Sequence, residues 1–212
     1  MYERVALAML RGALKNEGKG GAVTGDEDAR DYMALQALYG RWTEGQPQRF
    51  AVVAEGAVRG VHGAPAAARG VLLTLPDHVA HAYVVPLWPL EGWRHPRFVV
   101  ESYRRRAAPP PVVPAVPGAA GPLMRDFVVA EHLRPELDAP DDLREPYLLI
   151  KDGALLGRYK RVTQVRQRVD AAMPPLAPVV FTSLRPARYG PFNLMILQAL
   201  VELPGAHEHS EP

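Results

Sequence analysis

An α+β fold is the class this sequence predicts, and three observations carry the prediction. Leucines recur at helical spacing near the N-terminus, short Val-rich and aromatic runs punctuated by Gly and Pro occupy residues 49–103, and a Pro/Ala/Val/Gly segment interrupts the chain before a second mixed stretch. The interruption, Arg104 to Pro122 (RRRAAPPPVVPAVPGAAGP), suits neither a helix interior nor a central strand. Its prolines fix φ and remove backbone donors. The predicted organisation is therefore a helical N-terminus with a β-rich unit (1–104), a Pro/Ala-rich connector (105–122), a mixed α/β unit (123–204) and a polar tail (205–212).

In chain order, Leu7, Leu10 and Leu14 predict a helix over residues 3–17 that stops at Gly18. Thr24 and Glu27 form a capping box ahead of a second helix, about residues 26–39, which buries Tyr32, Leu35 and Tyr39, with Trp42 beyond it. FAVVA, GVLLTL, HAYVVPLW and RFVVESY read as strands. After the connector, DFVVAEH and PYLLIKDG read as buried strands, and Lys151-Asp152-Gly153 as the turn of a hairpin. Val162, Val165 and Val169 share one helical face with Arg161, Gln164, Arg166 and Arg168 around them, so a basic amphipathic helix is expected from about Val162 to Ala172. VVFTSL is another strand, and Phe192 to Leu203 reads as a helix opened by Gly190-Pro191. No internal repeat is expected.

The 212 residues hold no cysteine, which excludes disulfides, thiolate catalysis and Cys-ligated metals. No apolar run approaches the roughly 20 residues of a membrane-spanning helix, and the N-terminal stretch carries charges and no small-residue cleavage site. A cytoplasmic location, free or within a macromolecular assembly, with no membrane partner, is the expectation. The net charge of +2 is small but unevenly spread. Asp126, Glu131, Glu136, Asp138, Asp141, Asp142 and Glu145 form an acidic run, whereas Arg158, Lys160, Arg161, Arg166 and Arg168 precede the next acid, Asp170.

Enzymatic signatures are sparse. Gly18-Lys19-Gly20 lacks the spacing of a phosphate loop, no Ser lies in a Gly-x-Ser-x-Gly elbow, and His78 and His81 point to opposite faces if HAYVV is a strand. One enzymatic alternative is a Mg²⁺-dependent phosphodiesterase or nuclease, with Glu131 and Asp152 at strand ends holding the metal and Lys151 or Lys160 stabilising charge on phosphate. The favoured reading is a non-enzymatic binding or assembly protein without a cofactor. Its binding residues are Tyr103, Arg104, Arg105 and Arg106, together with Arg158, Tyr159, Lys160, Arg161, Arg166 and Arg168, where cations accompany an aromatic ring. The expected partner is nucleic acid or an acidic protein surface, including the acidic run of a second copy in a homo-oligomer.

Overall fold

The structure is a computed structural model that describes residues 30, 31, 34, 35, 38, 49–87, 97–108, 122–133, 145–172, 179–184 and 187–200. The chain order is β1 (Phe50–Ala54), β2 (Ala57–His62), α1 (Pro65–Leu72), β3 (His81–Pro86), β4 (Arg97–Arg105), α2 (Pro122–His132), β5 (Tyr147–Lys151), β6 (Ala154–Tyr159), α3 (Val162–Asp170), β7 (Val179–Ser183), β8 (Ala187–Tyr189) and β9 (Phe192–Leu200). The nine strands form one sheet, ordered β2-β1-β3-β4-β9-β7-β5-β6, with β8 also on β9. Every pairing is antiparallel. The protein is α+β with a predominance of strand. Among the described residues, no helix is long and apolar enough to cross a membrane.

The two sides of the proline-rich segment meet at β4 and β9, which pair from Arg97↔Leu200 to Arg105↔Phe192. One core cluster draws on both, with Leu35, Val53, Tyr83 and Val100 beside Phe127, Ile150, Val180 and Leu197. This is the sheet face covered by α2 and by the helical residues Ala34 and Leu35. On the opposite face, α1 buries Ala68 and Leu72 over Val52, Val84 and Phe192, while α3 buries Val165 and Val169 over Leu149, Val179 and Phe181. Alternating side chains therefore feed two faces, and both are apolar.

The strand order reads as a unit and its mirror image, so that β2, β1, β3 and β4 correspond to β6, β5, β7 and β9. The two units agree in detail. Each first hairpin carries a register shift, at Val52/Val53 and at Leu149/Ile150. Each turn is an acid followed by glycine with both residues left-handed: Glu55 (φ 52) and Gly56 (φ 69), Asp152 (φ 54) and Gly153 (φ 79). A buried aspartate on the preceding helix accepts the glycine N–H, from Gly56 to Asp31 at 2.5 Å and from Gly153 to Asp126 at 2.6 Å. The motif Gly-Ala-x-x-Gly occurs at both hairpins, Gly56 to Gly60 and Gly153 to Gly157. His62 and Tyr159 fold back over the second glycine of each, where a methyl group would lie 2.7 Å from His62 Nε2 and 3.0 Å from the Tyr159 oxygen. The expectation of no internal repeat is thus corrected: the chain is a tandem pair.

Three element assignments also change. DFVVAEH is part of helix α2, because burying Phe127, Val128 and Ala130 against the sheet outweighs the strand preference of adjacent valines. GVLLTL is not a strand; it contains the end of α1, which starts with Pro65 at its first turn. Phe192 to Leu200 is a strand and not a helix. Flanked by β4 on one side and by β7 and β8 on the other, it buries alternate residues from Asn193 to Ala199, but its sequence is largely apolar toward both faces and carries no two-residue alternation of polar and apolar side chains. Gly190-Pro191, expected to open a helix, is the two-residue turn between β8 and β9, with Gly190 at φ 54. The predicted helix over residues 3–17 lies outside the described residues. So do Tyr32, Tyr39, Trp42 and the core of the connector, residues 109–121.

Candidate interaction surface

The tandem arrangement allows the two basic clusters to be compared in place. The first lies on β4 and just after it. Tyr103 is fully buried, edge-on to Tyr189 and Phe192 at centroid separations of 5.4 and 6.2 Å, and it donates its hydroxyl to Glu101 at 2.6 Å. Burial, and then Glu101, raise the Tyr103 pKa well above the ordinary phenol value. Arg69 of α1 grips the same carboxylate with Nε at 2.8 Å and with Nη2, an interaction that raises its own pKa. Arg104 is buried. Arg105 donates to the carbonyls of Val79, Leu75 and Pro76, stacks over Phe192 at 4.9 Å and meets Asp77 at 3.3 Å. Arg106 donates to Gly190 O at 2.9 Å. Of the expected Tyr103–Arg106 cluster, Tyr103 and Arg104 are buried and Arg105 is engaged within the fold, while Arg106 is exposed; Tyr103 offers no ring face for stacking.

The second cluster is arranged differently. Helix α3 begins after Arg161, whose N–H and that of Lys160 are both accepted by Gln164 Oε1, at 3.1 and 3.0 Å. Val165 and Val169 anchor it, which turns Arg166 and Arg168 to solvent. Arg158 and Lys160 are exposed on β6 and directly after it, and Arg161 is exposed at the start of the helix. Tyr159 is half-buried and packs on the cluster under α3. Arg166 approaches Asp170 at 3.4 Å. Among the described residues no carboxylate pairs with Arg158, Lys160, Arg161 or Arg168. Leu155, Leu156 and Val162, between 39 and 42% exposed, stand beside these cations.

The twin edge makes the contrast chemical. β2 lies at the other end of the sheet, and its exposed Arg59 is engaged locally, donating from Nε to Ala54 O at 3.2 Å and pairing with Glu55. Val58 packs on the core, and Arg69 of α1 is taken up by Glu101. At the corresponding places the second unit has Leu156, Leu155 and the largely solvent-exposed Arg166. One edge is neutralised from within, whereas the other presents open charge and leucine.

The carboxylates of the enzymatic alternative are not a matched pair at strand ends. Glu131 is on α2 and 2% exposed, whereas Asp152 is exposed at the tip of the β5–β6 turn. The acid that reaches this turn is Asp126, at the start of the segment expected as the strand DFVVAEH. Burial raises the Asp126 pKa to about 6, against the pull of the Gly153 and Asp152 amides; the Asp152 charge adds to the rise and Lys151 opposes it. Among the described residues, no three His, Asp or Glu side chains are grouped to hold a metal ion. His78 instead lies 3.1 Å from Glu55.

In comparison with known proteins, no protein-family model, no curated protein and no solved structure matches the chain.

Proposed function

We propose that this chain is a non-enzymatic binding or assembly protein that engages an acidic partner through β6 and α3. The observation that carries the reading is the asymmetry of the tandem pair. The first unit neutralises its edge and helix cations internally, while the second leaves Arg158, Lys160, Arg161 and Arg168 unpaired among the described residues, beside exposed Leu155 and Leu156. Exposed unpaired cations cost little in a monomer, and they steer and orient an anionic partner.

Nucleic acid and an acidic protein surface are the two partner classes. The test replaces Arg158, Lys160, Arg161, Arg166 and Arg168 together with Gln and follows binding of a labelled oligonucleotide and of an acidic polypeptide by fluorescence anisotropy over a salt series. Weakened binding with a flatter salt dependence is expected for the true partner class. Unchanged affinity for every anionic probe overturns the reading.

A further inference from the structure

We propose that β6 is an acceptor edge, which takes up an acidic polypeptide segment as an additional antiparallel strand. The inference rests on the binding surface proposed above and specifies its partner as an extended acidic chain. Among the described residues β6 pairs only with β5, from Tyr147↔Tyr159 to Lys151↔Ala154, so its outer row of backbone N–H and C=O groups ends the sheet. An open strand edge is a template for another strand, and folds commonly blunt it with inward-turned charge. β2 carries Arg59 at its bulge, an exposed side chain whose guanidinium is engaged by Ala54 O and Glu55; β6 carries Leu156 at the matching bulge position.

The flanking side chains define the chemistry of the incoming strand. Arg158 is on β6 and Lys160 lies in the bend directly after it, so this end of the new pairing carries two exposed cations and favours Asp or Glu opposite Arg158. Leu155 and Leu156, 40 and 42% exposed, favour an apolar residue at the other end. Charge also selects among occupants. In antiparallel pairing of β6 with the β6 of a second copy at full overlap, Arg158 would face Leu155 of the other copy and would meet no carboxylate. Nucleic acid would find phosphate partners here but no free aromatic face, since Tyr103 is buried and Tyr159 packs under α3. Backbone pairing supplies affinity and the side chains supply selectivity, as in other cases of strand addition.

The test uses the full chain and three probes: the peptide Glu-Val-Glu-Val-Glu-Val-Glu, the same peptide N-methylated at alternate residues, and an oligothymidylate of similar charge. Affinity is read by anisotropy, and the binding edge by amide hydrogen exchange. The expected result is that the plain peptide binds and slows exchange at β6, that N-methylation weakens it about tenfold or more, and that the Arg158→Glu, Lys160→Glu double variant weakens it by a similar factor. Equal binding of the methylated peptide overturns strand addition and leaves the charged surface standing. Binding of the oligothymidylate alone does the same and assigns the surface to nucleic acid. Self-association that protects β6 without any probe overturns it in favour of a second copy. Failure of all three probes overturns both this inference and the binding surface.

Discussion

Asp126 of α2 accepts the Gly153 amide at 2.6 Å while almost fully buried, holding the β5–β6 turn to the helix that precedes it in the chain. Asp31 holds Gly56 in the first unit in the same way. A carboxylate in this position closes a long loop, from helix to hairpin tip, with one short bond. It also has a cost, because burial disfavours its charge.

That cost makes stability depend on pH. The folded-state pKa of about 6 exceeds the ordinary carboxylate value of 3.8, so between these limits the native state holds the proton more tightly than the unfolded chain. Stability contributed by this group is therefore present at low pH and is lost as pH rises through about 6, by up to about 3 kcal/mol. Asp126→Asn keeps an acceptor for Gly153 and removes the ionisation. Urea denaturation of the two proteins from pH 4 to pH 7.5 is expected to show the wild type losing ground to the variant as pH rises; the opposite trend would refute the assignment.

The two turn glycines differ in what a methyl group would strike. At Gly56 it would lie 2.7 Å from Arg30 Cβ, an atom fixed to a helical backbone, and at Gly153 it would lie 2.9 Å from Arg125 Cδ, part of a flexible arm. Both positions are left-handed, which costs an L-residue about 1–2 kcal/mol. Gly153→Ala is expected to lose about that much, and Gly56→Ala more. Equal midpoints in urea would contradict the difference in surroundings.

Tyr103, Glu101 and Arg69 act as one unit in the fold. Tyr103→Phe removes a buried hydroxyl donor and is expected to cost about 1–2 kcal/mol. Glu101→Ala strands both the hydroxyl and the guanidinium and is expected to cost more. A double-mutant cycle of Tyr103→Phe with Glu101→Ala should return a coupling of about 0.5–3 kcal/mol. Strict additivity would mean that the pair is only adjacent.

The two basic clusters should separate by assay. Arg105→Lys forfeits a planar fork that serves three carbonyls and the face of Phe192, so thermal stability is expected to fall. Arg158→Gln and Lys160→Gln alter exposed positions and should stay within about 0.5 kcal/mol of wild type. Their effects belong in binding. A stability loss from Arg158→Gln equal to that from Arg105→Lys would remove the distinction.

Local chemistry in the sequence was enough to foresee the β5–β6 hairpin, helix α3 and the strands β1, β3, β4, β5 and β7. Turn glycines, valine spacing and proline are short-range signals, and these elements depend on them. β9 was illegible for a physical reason: a strand apolar on both faces has no alternation to betray it. The tandem repeat had left a mark in the paired Gly-Ala-x-x-Gly motifs, but most of its correspondence is in backbone geometry and not in side-chain identity. Of the candidate site, the sequence displayed both arginine-rich clusters yet not their difference. Glu101, two residues before Tyr103, was the sign that the first cluster had a partner of its own, and only folding brings Arg69 to it.

The seam between β4 and β9 also bears on how the molecule comes into being. Its paired residues, such as Arg97 and Leu200, are far apart along the chain, so the first unit is synthesised well before the strand that completes it emerges. Until then β4 is itself a bare margin, able to pair with whatever is nearby, and contacts of such long range form slowly. Translation speed and chaperone access across the second unit should therefore influence the yield of this protein more than they would for a chain whose neighbours in space are neighbours in sequence.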